Sequence, residues 1–451
     1  MTVHDTALAA HRNDLAAMPA DAAGQALYDL MARLFPICRS ITGPGVRETL
    51  SILSEFIPIR RIEVPTGMEA FDWTVPKEWS IRDAYIADTA GRRLVDFRAN
   101  NLHALNYSIP FRGRMTLEQL KPHLHSLPDQ PDLIPYRTSY YKENWGFCLS
   151  QRQLDALGEG PFDVVMDTTL EPGSLTIGEV VIPGQTDREI LLSTHICHPS
   201  LANDNCSGMA IATALAMRAE LVPFHHSLRV LFVPGTIGSL AWLAMNEKET
   251  ARIAHGIVLT GLGDRGALTY KRSRRGDATI DRAAAHVFGR RQDGSRLIDF
   301  SPWGYDERQY CSPGFNLPVG RLSRTPHGEF PEYHTSADDL SFVTPEALGD
   351  SLAAAEQILR VVDGEAIYRS NNPMGEPRLG KRGLYRQTAG QGGAVPDEIS
   401  LLWVLNQSDG SRSLLEIAER SGLHFEAIRD AANALQSTGL IEPVAEAPIA
   451  R

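Results

Sequence analysis

One apolar segment, followed by a polar turn and a second apolar segment, constrains this chain more than any other feature. Residues Glu189–Thr194 have the apolar, β-capable character of a strand buried in a sheet. Polar and turn-forming residues follow at once, and an apolar helical pattern begins near Ser207. A strand, a turn and a helix in this order are typical of an open α/β sheet. The segment therefore predicts that His195 lies at the carboxyl end of a strand, in the crevice where such sheets bind ligands.

Two side chains of this segment have the chemistry of metal ligands. His195 offers a neutral imidazole nitrogen, and Asp204 offers a carboxylate from the turn before the helix. A third ligand is predicted at His334, which precedes Asp338 and Asp339, and either of these carboxylates could orient a ligand histidine. Two histidines and one aspartate leave a position open for water, as in a catalytic zinc site. For His195 and Asp204 alone, a hydrogen-bonded histidine and a helix-entry cap are the alternative interpretation.

The order of these residues resembles that of a known family. The pattern consists of His195, then Asp204-Asn205-x-Ser207-Gly208, then a strand ending near Gly238-Ser239, then His334-Thr335. It is similar to that of the zinc aminopeptidase clan, whose fold also serves glutaminyl cyclases. More closely, the chain resembles bacterial aminopeptidase-like proteins that carry an inserted domain and a carboxy-terminal winged helix, among sugar and natural-product biosynthesis genes. The resemblance covers nearly the whole chain, and its further markers are Arg39–Gly43, Phe71–Pro76, Trp79–Tyr85, Pro135–Tyr141, Trp145–Cys148 and Ser301–Gln309.

The order of predicted elements divides the chain into three parts. A helical pattern in residues 20–60 and strands that alternate with helical stretches in residues 165–370 predict an α/β domain with a mostly parallel sheet covered by helices. The resemblance implies that this sheet is zinc-aminopeptidase-like. Residues 61–164 interrupt this domain with short alternating runs typical of β-hairpins, so we expect an inserted β-rich domain there. Residues 376–445 contain three helical patterns and a following strand, the order of a winged helix.

Gly235 is the departure from the family that matters most. The wider clan holds two metals with a pair of adjacent glutamates after the next strand, the first acting as general base, and the closer relatives have a glutamate followed by a threonine. This chain has Gly235 and Thr236 there, so the resemblance implies one zinc ion, held by His195, Asp204 and His334, without the usual base. Loss of a general base costs on the order of 10²–10⁴ in rate.

Three readings of Gly235 follow. The chain is a hydrolase that uses another base, a non-hydrolytic or impaired homologue, or an altered form of an active enzyme. A fourth alternative is a turn glycine that tolerates a positive φ, with the alignment shifted by one residue. A shift would not restore the base, because the nearest acidic residues are Glu220 upstream and Glu247 downstream.

A second cluster of polar residues is the candidate substrate site. The resemblance places the loop that contains Tyr305, Asp306, Glu307 and Arg308 at the substrate pocket. Glu307 is the first candidate to replace the base or to receive a substrate amine, while Tyr305 and Asp306 position the substrate and Arg308 holds a carboxylate. A structural ion pair is the alternative for a carboxylate beside a guanidinium.

Three residues of the amino-terminal segment are further candidates for substrate binding. They are Arg39, Thr42 and Arg47, which lie in a stretch rich in polar and turn residues. Their alternative role is to form a helix-to-helix turn around Gly43 and Pro44.

Composition limits the partners and the compartment. The chain has 44 basic and 55 acidic residues and a formal net charge of −11, which disfavours nucleic acid and anionic membranes as partners. The second and third predicted helices of the winged helix carry more acidic than basic residues, which weakens a DNA-binding interpretation further. No signal peptide or apolar run of membrane-spanning length is present, and five scattered cysteines indicate reduced thiols, so we expect a cytoplasmic protein. Cys197 and Cys206 bracket the proposed site, where packing is favoured over a zinc thiolate.

These observations and the resemblance predict a zinc-dependent, aminopeptidase-like hydrolase. Its substrate would be small and amino-acid-derived, with an amide or peptide-like bond. A cyclase or acyl transferase, in which the substrate's own amine attacks, is one alternative, and hydrolysis differs from it by the addition of water. A zinc-containing binding protein with impaired catalysis is the other. The resemblance also implies a homo-oligomer that associates through the inserted or terminal domain.

Overall fold

The computed structural model describes residue 12, residues 15–384 and residues 397–444. The predicted winged-helix range, 376–445, includes residues 385–396 and 445, which lie outside the described residues. Within the described part, no helix is both long enough and apolar enough to cross a membrane.

The strands are numbered in chain order. They are β1 (Arg60–Pro65), β2 (Glu69–Ala70), β3 (Trp73–Thr74), β4 (Glu78–Ala87), β5 (Arg93–Asp96), β6 (Phe111–Met115), β7 (Leu124–His125), β8 (Phe147–Cys148), β9 (Phe162–Glu171), β10 (Ser174–Ile182), β11 (Glu189–His195), β12 (Ser227–Val233), β13 (Ile253–Leu259), β14 (Thr269–Lys271), β15 (Arg296–Ile298), β16 (Val319–Ser323), β17 (Ile367–Ser370), β18 (Asp409–Ser413) and β19 (Ile441–Pro443).

The α-helices are numbered in the same way. They are α1 (Gly24–Leu34), α2 (Pro44–Leu53), α3 (Leu117–Leu120), α4 (Gln151–Ala156), α5 (Gly208–Leu221), α6 (Ile237–Met245), α7 (Thr279–Phe288), α8 (Glu307–Tyr310), α9 (Pro345–Asp363), α10 (Glu398–Gln407), α11 (Leu414–Ser421) and α12 (Phe425–Ser437).

A large central sheet forms the body of the first part of the chain. In the described residues its strand order is β1-β10-β12-β11-β13-β16-β14-β15. The four central strands, β12, β11, β13 and β16, run parallel. At one edge of the sheet β10 pairs antiparallel with β12, and β1 pairs antiparallel with β10. Every residue of β11 and of β16 is buried, and the middle of β11, Ile190–Leu192, is continuously apolar, as expected of a parallel strand that is covered on both faces. The predicted α/β fold with a mostly parallel sheet is confirmed.

The segment between β1 and β10 carries a second sheet. The strands β5-β4-β9-β6 form an antiparallel sheet with its own apolar cluster, which includes Ile86, Phe147 and Val164. The central sheet includes β1, most of which the sequence had assigned to the inserted domain, residues 61–164. Only Val64 of this edge strand is buried, so its sequence has the alternating character of a hairpin strand.

The carboxy-terminal residues form a separate compact unit. This unit contains Asp277–Arg290 and the chain from Gln357 onward. Its strands pair in the order β18-β17-β19, and α10, α11 and α12 supply its apolar core. The sequence predicts helical patterns over residues 397–406, 413–421 and 426–436, and the three helices match them to within one residue at each end, so the winged helix is confirmed. The unit's sheet begins with β17, ahead of the predicted boundary at residue 376.

Candidate metal centre

The centre of the site is a histidine and an aspartate joined by a hydrogen bond. His195 is the last residue of β11 and is paired in the sheet with Val233 at the end of β12. Asp204 lies in the turn Ala202–Ser207, which leads into α5. The two side chains are almost fully buried, and His195 Nε2 lies 2.8 Å from Asp204 Oδ1. The strand end and the helix entry thus bring these two predicted ligands together.

Two further histidines face the same carboxylate. His334 Nε2 lies 3.1 Å from Asp204 Oδ2, so the structure also brings the third predicted ligand to this site. His198 Nδ1 lies 3.7 Å from Asp204 Oδ1, and the donor atoms of His195, His198 and Asp204 all lie within 4.8 Å of one another. Sequence analysis missed His198, although the spacing of His195 and His198, three residues apart just after a strand, was a readable signal.

The donor set fits a metal ion. The Nδ1 atom of His198 is buried without a hydrogen-bond partner in the described residues, and it is too far from the Asp204 carboxylate to bond to it. Ligands of one zinc ion each lie about 2.0–2.2 Å from it, which places neighbouring donor atoms a few ångströms apart. An unpaired buried nitrogen at that spacing from a carboxylate is therefore better explained as a metal ligand than as a packing residue.

The protonation states suit metal binding. Burial alone would raise the pKa of Asp204, but the adjacent His198 and His195 and the hydrogen bonds from His195 and His334 hold it well below its ordinary value. Burial, which disfavours the charged imidazolium, lowers the pKa of His198 well below its ordinary value. An ionised carboxylate and a neutral imidazole are the forms that coordinate metals.

The turn that carries Asp204 is fixed by buried polar groups. Both carboxylate oxygens of Asp338 accept backbone N–H groups, from Asn203 at 2.6 Å and from Asp204 at 3.0 Å. The amide of Asn205 donates to Thr194 Oγ1 at 2.7 Å. Asp338 therefore supports the ligand turn, rather than orienting a ligand histidine as the sequence suggested, because its carboxylate lies behind the backbone of Asp204.

Gly235 lies beside the metal donors, at the end of β12. A Cβ atom built at this position would lie 3.2 Å from His195 Cβ and 3.6 Å from Asp306 Oδ2. Gly235 is not among the glycines with a positive φ, so the conformation does not demand glycine. A side chain at this position would therefore point toward the metal donors, and the turn-glycine alternative loses its physical reason.

Asp306 is the free carboxylate that faces Gly235. Its Oδ1 accepts a hydrogen bond from Ser239 Oγ at 2.7 Å, whereas its Oδ2 has no hydrogen-bond partner in the described residues. The side chain is fully buried, and burial raises its pKa to about 6. Tyr305, the preceding residue, stacks on the ring of His195 and donates to Asp204 Oδ1 at 3.2 Å.

Glu307, the predicted replacement for the base, is engaged in an ion pair. It is fully buried, its Oε1 lies 2.9 Å from Lys271 Nζ, and Arg321 is 3.7 Å away. This is the structural ion pair that the sequence left as an alternative, although the partner is Lys271 rather than the adjacent Arg308. Arg308 is half-buried, and its Nε has no hydrogen-bond partner in the part of the chain that the structure describes.

The three candidates of the amino-terminal segment are bound to protein groups. Arg39 is fully buried and donates to the carbonyl oxygens of Leu34, at 2.6 Å, and His198, at 2.7 Å. Thr42 accepts the backbone N–H of Trp79 at 3.0 Å. Arg47 forms ion pairs with Glu63 and Glu78. These contacts favour a structural role for Arg39, Thr42 and Arg47, and their contact with substrate stays a prediction.

Cys197 and Cys206, the two cysteines near the site, have buried side chains. Burial raises the pKa of the Cys197 thiol to about 12 and also raises that of Cys206. Cys206 accepts a hydrogen bond from Arg39. All five cysteines are free thiols. Cys197 and Cys206 therefore act as small buried packing residues.

Comparison with solved structures identifies the fold. A crystal structure of a Clostridium acetobutylicum protein, described as a "putative peptidase", matches with a TM-score of 0.89 and 46% identity, covering 94% of this chain and 97% of that one. A zinc aminopeptidase from Bacillus subtilis matches with a TM-score of 0.55 and 13% identity, covering 75% and 94% of the two chains. At this low identity the second match shows the shared fold alone.

Sequence comparison identifies the family. A Clostridium acetobutylicum protein named "Putative polysaccharide biosynthesis protein with aminopeptidase-like domain" is 48% identical over 421 residues, which are 93% of this chain and 97% of that protein. A winged helix-turn-helix model matches residues 366–443. A model described as a domain of unknown function, DUF4910, matches residues 28–365. The chain therefore belongs to the DUF4910 family of aminopeptidase-like proteins and carries a winged helix-turn-helix domain after the family domain.

Proposed function

We propose that this protein is a zinc-dependent, aminopeptidase-like hydrolase that cleaves an amide bond in a small amino-acid-derived substrate. The observation that carries this proposal is the buried group of His195, His198 and Asp204, whose donor atoms lie within 4.8 Å of one another. It occurs at the carboxyl ends of the central strands of an aminopeptidase-like domain. Such a position is where open α/β sheets bind their ligands.

The ligand set for the zinc ion is His195, His198 and Asp204, with His334 on the second oxygen of Asp204. Three protein ligands leave a coordination position for water or substrate, whereas four would close a tetrahedral site. His334 faces Asp204 Oδ2 and is about one-third exposed, so in this arrangement it contacts the carboxylate ligand and is not one of the three ligands. A bound zinc ion would lower the pKa of a water molecule and polarise the scissile carbonyl group.

Asp306 takes the role of the missing glutamate. Its unpaired Oδ2 lies 3.6 Å from the position of a Cβ atom at residue 235, so it is the carboxylate nearest to the place where the family carries its base. Ser239 holds the other oxygen and fixes the side chain's orientation. Glu307 is unsuited to this role, because its carboxylate balances the buried charge of Lys271.

Metal content and product mass test the proposal together. Purified protein is analysed for zinc and incubated with a panel of aminoacyl amides and dipeptides, and the masses of the products are measured by mass spectrometry. We expect bound zinc and products that have gained the mass of water. Asp204→Ala should remove both, while Asp339→Ala should keep both, because the Asp339 carboxylate bonds, among the described residues, only to Ser341 of its own turn.

Three outcomes would contradict the proposal. Zinc retained at full stoichiometry by the Asp204→Ala variant would mean that the ligands lie elsewhere. Products without added water would favour the cyclase or transferase reaction, which needs no base for a water molecule. That second reaction stays a candidate because Gly235 has no proton-accepting side chain. Absence of any turnover with zinc in place would favour a binding protein.

A further inference from the structure

A cavity of about 520 Å³ opens beside the metal donors. His198 and His334 form one end of it, and the segment from Tyr136 to Asn144 forms most of the rest. Its volume lies in the range of about 300–1,000 Å³ that is typical of small-molecule pockets. A ligand in this cavity would therefore reach His198 and His334 directly.

The cavity is cationic although the chain as a whole is acidic. Arg137 and Lys142 line it, and neither aspartate nor glutamate is among the described residues that do so. The whole chain has a formal net charge of −11. The charged side chains that line the cavity are therefore positive, whereas the net charge of the chain is negative. Such a local positive charge attracts anions.

The two cations lack the partners that neighbouring cations have. In the same inserted part of the chain, Arg93 pairs with Asp83 at 2.8 Å, and Arg114 pairs with Asp163 at 2.8 Å. By contrast, within residues 15–384 no carboxylate lies within ion-pair distance of Arg137 or Lys142. Both side chains are exposed to the cavity and its mouth. Their charges are thus available to a ligand.

A third group in the cavity also lacks a partner. The Nε2 atom of His125 is buried and has no hydrogen-bond partner among the described residues. Burial lowers the pKa of His125, and the charge of Arg137 lowers it further, so the ring is neutral near pH 7. A neutral imidazole can donate one hydrogen bond from a ring nitrogen. An anion held by Arg137 would supply the acceptor that this nitrogen lacks.

We propose that this cavity binds an oxyanion, a carboxylate or a phosphate, carried by the substrate whose amide bond lies at the metal donors. Arg137 holds the oxyanion with its planar guanidinium fork, and Lys142 adds a second positive charge. This inference rests on the proposed function, because it assumes that the amide bond of the same substrate lies at the metal donors. It narrows the substrate class to amino-acid-derived molecules with a negatively charged group at some distance from the scissile bond.

Binding of matched charged and neutral probes tests this inference. The pairs are N-benzoylglycine with its amide, and glucose 1-phosphate with glucose, each titrated into the zinc-loaded protein by calorimetry. We expect at least one charged probe to bind about tenfold more tightly than its neutral partner, the effect of a charge-assisted hydrogen bond. Preference for the first pair identifies a carboxylate substrate, and preference for the second identifies a phosphate substrate.

Three variants separate this cavity from other anion sites. Arg137→Gln should abolish the charge preference, and Lys142→Gln should reduce it about threefold, an intermediate loss for a more flexible cation. Lys248→Gln is the matched control, because Lys248 is exposed in the loop before β13, at the opposite end of the sheet. It should leave the preference unchanged. Thermal unfolding of each variant confirms that the surface substitutions leave the fold intact.

The outcomes distinguish this inference from the proposed function. A charge preference that survives both Arg137→Gln and Lys142→Gln would overturn the inference, since the anion would then bind at the metal or elsewhere. Equal affinity for the charged and neutral probes would overturn it as well. Because binding is measured without turnover, a loss of preference in Arg137→Gln supports the cavity even if the hydrolysis panel fails.

Discussion

Exchange of Gly235 for glutamate, with and without Asp306→Asn, gives the sharpest test of the site. If Asp306 takes the proton in place of the absent glutamate, the two carboxylates are alternatives for one task. Asp306→Asn should then be severe in the natural chain and mild in a chain that also carries Gly235→Glu. The pair forms a double-mutant cycle, which isolates the coupling between two positions in contact.

The structure sets the size of the expected effects. A Cβ atom at residue 235 meets His195 Cβ at 3.2 Å, which requires a shift of only a few tenths of an ångström. Gly235→Glu should therefore fold and raise kcat/KM, because the new carboxylate points toward the metal donors. A general base contributes about 10²–10⁴ in rate, or roughly 3–5 kcal/mol. We expect Asp306→Asn alone to lower kcat/KM by about that factor, but by less than about tenfold beside Gly235→Glu.

The assay is hydrolysis of aminoacyl amides with zinc content measured on every sample. Gly235→Gln is the matched control for size, because it adds the same volume without a proton acceptor. Ser239→Ala is the control for position, since Ser239 donates to the other oxygen of Asp306. We expect Gly235→Gln to give no gain and Ser239→Ala to give a partial loss.

One result would refute the reasoning. If Asp306→Asn lowers kcat/KM by the same factor in both backgrounds while zinc is retained, Asp306 acts by shaping the site rather than by accepting a proton. An increase in rate with Gly235→Gln as large as with Gly235→Glu would likewise show that volume, not basicity, is missing at this position.

The remaining predictions concern zinc, a buried ion pair and pH. His198→Ala should lower zinc affinity more than His334→Ala does, as measured by competition with a chelator, because His198 belongs to the compact donor group and His334 is partly exposed; equal losses would mean that all four donors hold the ion. Glu307→Gln should destabilise the protein by about 3–5 kcal/mol in denaturant unfolding, since it leaves Lys271 buried without a counter-charge, and unchanged stability would contradict this. Burial raises the pKa of Glu365 from 4.5 to about 7, so the folded state binds this proton more tightly and stability falls as the pH rises through that window. Glu365→Gln should therefore stabilise the protein by up to about 3 kcal/mol at pH 8 and have little effect at pH 4 in thermal unfolding; an equal effect at both pH values would exclude this linkage.

The parts of the fold that the sequence predicted are those encoded locally. The strand that ends at His195 could be predicted because all of its residues are buried, and its central residues form an uninterrupted apolar run. The helices of the winged helix could also be predicted, because their apolar positions recur at helical spacing. The edge strand β1 was misplaced because its single buried residue, Val64, gives almost no signal.

The details of the site could not be predicted because they depend on which side chains meet in space. The sequence placed Asp306 and Glu307 side by side and could not say which of them is paired. In the structure, Lys271 reaches Glu307 from β14, whereas Asp306 accepts a hydrogen bond from Ser239 and has no cation within ion-pair distance among the described residues. Arg39 is a similar case, because its partners are backbone carbonyl oxygens that no sequence pattern reveals.

Backbone hydrogen bonds join the loop that carries His334 to the segment that contains Ile134 and Tyr136. His334 has a positive φ of 55°, a conformation that costs a non-glycine residue about 1 kcal/mol or more. Its carbonyl oxygen accepts the N–H of Tyr136 at 2.7 Å, and Ser336 and Ile134 exchange hydrogen bonds on the same side. These bonds hold the His334 loop against the segment that also carries Arg137. Since one segment both fixes His334 and lines the cationic cavity, an anion bound in that cavity would act directly on the geometry of the metal donors.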